Sequence, residues 1–233
     1  MNKNKVIEAL KAAIPITIPV FTGYIFLGMG YGILMNKIGY GPGWTLLMSL
    51  LIFAGSIQYI AIALLTAAFN PLYTFLLTLM VNARHIFYGI SMLEKYKGTG
   101  KIKPYLIFGL TDETFSLLST LDPPKGIERK WFFFFVTILN HSYWVLGSLL
   151  GNFAGLLINF NTEGLDFVLT ALFTVLFIDQ WKGTKNHYPA LTGLGASVIC
   201  LLIFGQGNFI IPAMIFILVL LTIFRGWIDK EEV

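Results

Sequence analysis

Long runs of predominantly apolar residues follow one another along nearly the whole chain, separated by short stretches that hold most of its charge. A helix needs about 20 such residues to cross the hydrocarbon core of a bilayer. Seven runs qualify: Ile14 to Met35, Trp44 to Phe69, Leu72 to Leu93, Trp131 to Phe153, Leu165 to Trp181, Pro189 to Phe204 and Phe209 to Phe224. An eighth, Pro104 to Leu121, is shorter and carries TDET at its middle. It reads either as a full span or as a broken, re-entrant segment surrounded by protein or water. The pattern predicts an all-α protein, a polytopic transmembrane helix bundle of seven to eight spans, forming one integral membrane domain over residues 1–233. An internal repeat would suit such a bundle, but the apolar runs alone do not align two halves.

Composition agrees: 56% hydrophobic residues against 12% charged excludes an ordinary water-soluble domain. The run Ile14 to Met35 is too long for the apolar region of a signal peptide and ends in no small-residue cleavage pattern, so no cleavable leader is expected. Cys200 lies in an apolar run, has no second cysteine to pair with, and reads as a packing residue. The pI near 9.1 does not indicate nucleic acid, because the basic residues gather at the N-terminus and between apolar runs instead of forming a stripe.

Those basic residues carry topology instead. Lys3, Lys5 and Lys11, then Lys125, Arg129 and Lys130, then Lys182 and Lys185 all mark a cytoplasmic side, whereas 159–163 and 205–208 hold no Lys or Arg. Eight spans with both termini inside satisfy these groups, but place the loop of Lys95, Lys97, Lys101 and Lys103 outside, against the rule. Making Pro104 to Leu121 re-entrant brings that loop inside and pushes the N-terminus out.

Ionisable groups inside spans cost at least about 2.5 to 3.5 kcal/mol on insertion scales, so each needs a partner or a task. In MVNARHIFYGIS, Asn82, His85 and Gly89 share one helical face while Arg84, Tyr88 and Ser91 share a neighbouring one. Arg84 offers a planar fork suited to a carboxylate, and His85 brings the only side-chain type whose unperturbed pKa lies close to physiological pH. In GLTDETFSLLS, Asp112, Ser116 and Ser119 form a stripe with Glu113 about 100° away. Arg84 with Asp112 or Glu113 reads either as an interhelical ion pair that braces the bundle or as a breakable pair at a binding site. Asn140 and His141 in TILNHSYWVLGS are read as interhelical hydrogen-bonding groups or as site residues. In FAGSIQ, Ala54 and Gly55 beside Ser56 and Gln58 suit close packing first, with an unwound turn exposing backbone to a ligand as the alternative. Gly28 and Gly32, like Gly193 and Ser197, have the small-xxx-small spacing of helix contacts, and Asp179 with Lys182 reads as interfacial.

Three classes of function compete. An intramembrane metalloenzyme would need His85, His141, Asp112 and Glu113 as ligands, but no HExxH-type spacing or G-x-S-x-G elbow is present. A scaffold subunit explains the spans but not the intramembrane charges. A solute carrier explains both. No G-x-x-x-x-G-K-[ST] motif occurs, so coupling to a proton gradient is expected instead of ATP use, with no cofactor and no metal.

NARHIFYGIS at 82–91, LTDETFSL at 110–117, FAGSIQ at 53–58, LNHSYWVLGSLLGNFAG at 139–155 and GLDFVLTALF at 164–173, taken in order, resemble the AzlC family of branched-chain amino acid permeases. The match covers nearly the whole chain, with the part after Asp179 least distinctive. The resemblance implies a multi-pass exporter in the bacterial inner membrane for valine, leucine and isoleucine, with methionine an open case. It also implies proton coupling and a small AzlD-type membrane partner. On the spacing argument, Arg84 takes the substrate carboxylate, with Asn82, Ser56, Gln58 and Asn140 as further substrate contacts. His85, Asp112, Glu113 and His141 are then the candidates for proton coupling.

Overall fold

The protein is described here by a computed structural model covering residues 3–68, 70–157, 170, 174, 177–178, 181–182, 186–206 and 209–228. Every regular element among them is helical: α1 (Lys3–Lys37), α2 (Pro42–Leu51), α3 (Gly55–Thr66), α4 (Pro71–Ser91), a 3-10 turn (Gly100–Ile102), α5 (Lys103–Phe108), α6 (Asp112–Thr120), α7 (Arg129–Leu157), α8 (Tyr188–Phe204) and α9 (Ile210–Ile228). Most of the run Leu165 to Trp181, the 159–163 loop, Asp179 and Lys185 lie outside the described residues.

The chain forms two compact units, one of 1–70 with 81–165 and one of 71–80 with 166–233. In the second unit α8 packs on α9, and Trp181 stacks on His187 with ring centroids 4.0 Å apart. A cavity of about 370 Å³ there is lined mainly by Phe177, Ile178, Trp181 and Leu194.

The first unit is organised on α1 and α7, which are long and apolar enough to cross a membrane. They run parallel, because contacts advance together along both: Gly28 meets Gly147 and Ser148, Gly32 meets Ser148 and Asn152, and Gly155 meets Asn36. A Cβ on Gly28 would stand 2.8 Å from the Ser148 backbone nitrogen, so glycine lets the two backbones touch. This is the packing expected of Gly28 and Gly32.

Two predicted spans are broken. Trp44 to Phe69, expected as one helix, is α2 and α3 separated at Ile52 to Ala54, where Phe53 takes φ 41° and Ala54 is extended. Apolar periodicity is blind to a short break inside an unbroken hydrophobic run. After the break α3 doubles back beside α2: Gln58 Nε2 donates to Ser49 Oγ at 3.5 Å, and Met48 and Tyr59 both touch Tyr31. Pro104 to Leu121 is likewise α5 and α6, broken at Gly109 to Thr111. Its two ends return to one place: Lys103 Nζ reaches the Leu93 carbonyl, and Lys95 Nζ reaches the Ser119 and Leu121 carbonyls. A cluster of Ala13, Met92, Tyr96, Leu106, Leu118 and Phe133 packs the same end of the unit. Both segments are therefore helical hairpins, with tips at 52–54 and 109–111.

With the tips as anchors, an internal match emerges. LIFAGS at 51–56 aligns with LIFGLT at 106–111, and RHIFYG at 84–89 with NHSYWV at 140–145. The hairpin α2–α3 followed by α4 thus corresponds to the hairpin α5–α6 followed by α7.

Candidate functional site

The two hairpins meet beside their tips. Phe53 and Phe108, matched positions of the repeat, have ring centroids 6.4 Å apart. Between the two hairpins and α4 lies a cavity of about 510 Å³, walled by Ile52 and Phe53 from the first tip, Ile107 and Phe108 from the end of α5, Ile86 and Ile90 from α4, and Leu93 just after it. Asn82, His85 and Gly89, the face read from spacing, line it together. Its wall is apolar with few polar groups, as expected of a site for a small, partly apolar molecule.

The neighbouring face of α4 carries the charge. Arg84 Nη2 stands 2.8 Å from Asp112 Oδ2 and donates to Ser56 Oγ at 3.0 Å. Tyr88 donates to Asp112 Oδ1 at 2.7 Å. The start of one half-helix (Ser56 on α3) and the start of the other (Asp112 on α6) are joined through one arginine. Asp112 and Glu113 occupy the first turn of α6, where the helix dipole favours anions, and Thr111 caps it by accepting from the Thr114 backbone N–H. The Arg84–Asp112 pair is partly open, with side chains 31% and 26% exposed, so a ligand could reach it. Arg84 Nε and Asn82 Oδ1 have no hydrogen-bond partner among the described residues.

Glu113 is held differently. It accepts from the Tyr24 hydroxyl at 2.5 Å, and that hydroxyl also bonds Thr111 Oγ1 at 2.6 Å. No lysine or arginine pairs with Glu113 among the described residues. His141 is clamped on α7: Nε2 lies 3.2 Å from the Ser49 carbonyl, Nδ1 lies 3.1 Å from the Tyr105 hydroxyl, and Phe53 stacks on its ring at 4.1 Å.

The remaining expected residues are placed more deeply. Gln58 is fully buried and accepts from Trp144 Nε1 at 2.8 Å, and Asn140, also fully buried, donates to Thr114 Oγ1 at 3.0 Å. Neither lines the cavity. Arg84 does not line it either; its sequence neighbours on the other face do. Tyr24, Phe53, Tyr105 and Thr111 belong to the network but were missed. Thr111 had a usable signal, an N-cap threonine just before two acids, whereas Tyr24 had none in its apolar run. Among the described residues, no three His, Cys, Asp or Glu side chains gather in a way that could hold a metal.

Two broken hairpins meeting at an apolar cavity, with an ion pair at their half-helix starts, define a helical membrane protein of the discontinuous-helix type. The chain belongs to the AzlC protein family, whose model matches residues 19–158. It is 55% identical to the branched-chain amino acid transport protein AzlC of Bacillus subtilis (strain 168), over all of this chain and 92% of that one. It is 46% identical to a Haemophilus influenzae protein named only as a membrane protein, covering 95% and 91% of the two chains. The inner membrane protein YgaZ of Escherichia coli K12 is 29% identical over 77% of this chain and 76% of its own. No solved structure matches. The protein is accordingly a membrane protein of the bacterial cell.

Proposed function

We propose that the chain is the transporting subunit of a proton-coupled exporter of branched-chain amino acids, acting with a small AzlD-type membrane partner. The observation that carries this reading is the apolar cavity walled by both hairpins. Half-helix starts near a cavity are where carriers hold charged substrate groups. Arg84 takes the substrate carboxylate in competition with Asp112, and Ser56, Asn82 and Tyr88 hold the groups this frees. Asp112 or Glu113 carries the proton, with His85 and His141 linking it to the change of access, while Gln58 and Asn140 brace the tips. The amino acid's side chain lies against Ile52, Phe53, Ile107 and Phe108.

Re-entrant hairpins also reconcile the loop charges. If α1 leaves the cytoplasm, α2–α3 dips in from outside and back, α4 returns, α5–α6 dips in from the cytoplasm and α7 leaves again. The loops of Lys95 to Lys103 and Lys125 to Lys130 then share the cytoplasmic side with the N-terminus. The matched halves then have opposite orientation. The access change follows from that inversion: Phe53 stacked on His141 closes the α7 side, and the counterpart state stacks Phe108 on His85 and opens it.

The test is export from bacteria fed a leucine- or valine-containing dipeptide, with the chain expressed alone and with its small partner. Faster efflux that is lost in Arg84→Ala at equal abundance supports the carrier; no efflux in either arrangement overturns it.

A further inference from the structure

Glycines in the first unit serve two purposes. At Gly147 an added Cβ would stand 2.7 Å from the Tyr24 carbonyl oxygen, so the missing side chain there brings two backbones together. Gly89 does nothing of the kind. The nearest atom to a Cβ built on it is Ile107 Cγ2 at 3.9 Å, an ordinary contact, and no backbone approaches. Glycine inside a helix costs up to about 1 kcal/mol relative to alanine, and its counterpart in the second half of the repeat is Val145. Neither helix stability nor the repeat calls for glycine at this position. What the missing side chain leaves is room, since Gly89 and Ile107 both line the 510 Å³ cavity.

We propose that Gly89, set against Ile107, determines the size of the apolar side chain the cavity accepts. The assignment rests on the carrier reading and names the residue that sets its selectivity. A hydrophobic pocket separates substrates differing by one methylene by roughly 10- to 200-fold. Bulk at position 89 therefore acts on the ratio between substrates, where a residue that only packs helices would act on all of them alike.

The experiment is competitive export of leucine, isoleucine, valine and alanine from cells carrying the chain with its partner, each variant normalised to membrane abundance. Gly89→Val is expected to lower leucine and isoleucine export relative to alanine by about tenfold or more. Gly89→Ala, whose methyl fits at ordinary contact distance, is expected to shift the ratio in the same direction by less and carries the test if the valine variant fails to accumulate. Adding Ile107→Ala to Gly89→Val is expected to restore leucine export, and Gly193→Ala, at an open position on α8, to leave every ratio unchanged. Unchanged ratios in both Gly89 variants, or an equal loss for all four substrates that Ile107→Ala does not repair, would overturn the assignment alone. Absence of export by the unaltered chain would overturn the carrier reading and the assignment with it.

Discussion

Replacing Asp112 by Asn separates a brace from a working site. In the folded chain Arg84 Nη2 has two acceptors, Asp112 at 2.8 Å and Ser56 at 3.0 Å, and its Nε has none among the described residues. Asp112→Asn keeps the shape and an acceptor for Tyr88 but leaves the guanidinium charge unbalanced. Fully buried pairs broken in this way lose about 3 to 5 kcal/mol, whereas exposed pairs are worth about 0 to 1 kcal/mol. At 31% and 26% exposure this pair lies between them, and a loss of about 2 to 3 kcal/mol is expected. On soluble-protein scaling that is roughly 5 to 10 °C in Tm, measurable by thermal unfolding in detergent. The double variant Arg84→Met with Asp112→Leu removes both charges and should recover most of that loss, leaving about 1 kcal/mol for the acceptor Tyr88 no longer has. Export should stay absent in the double variant although stability returns. If export returned with stability, the pair would be a brace and the carboxylate role of Arg84 would fall.

Other consequences follow from particular contacts. At Phe53 the usual order of glycine and alanine should invert: with φ at 41°, Phe53→Gly should melt above Phe53→Ala, by an amount corresponding to about 1 kcal/mol, and the reverse order would contradict a left-handed tip. Tyr24→Phe removes the donor to Glu113 and the bond to Thr111. A loss of about 1 to 3 kcal/mol is expected by the same melting assay, and an unchanged Tm would mean the hydroxyl does not hold the tip. Tyr96 is fully buried and its hydroxyl has no partner among the described residues, so Tyr96→Phe should be neutral or stabilising; a loss above about 1 kcal/mol would reveal a bond not accounted for. Gly151→Leu would drive a side chain into the Met29 backbone, and the protein should fail to accumulate in the membrane while Gly193→Ala accumulates normally.

Much of this was legible from residue spacing, and the losses have definite physical causes. The faces of α4 came out correctly because charged and polar residues at helical spacing leave a strong signal in an apolar helix. Arg84 with Asp112 was likewise readable, since a lone intramembrane charge demands its opposite. The break at Phe53 was not, because every residue around it is apolar or small and the left-handed turn leaves no mark in hydropathy. The same blindness hid the internal match, which becomes visible only when LIFAGS and LIFGLT are recognised as two hairpin tips. Gln58 and Asn140 read as site residues because polarity in a span suggests function, and in the structure each bonds a neighbouring helix.

The most direct test of the central claim is counterflow of labelled leucine into liposomes containing the purified chain and its small partner, preloaded with unlabelled leucine. Transient accumulation of label, reduced by excess external valine and absent in Arg84→Ala at equal incorporation, is the predicted result. Equal and negligible label in the unaltered chain and the variant, with both correctly folded and inserted, would contradict the claim that this chain carries amino acids.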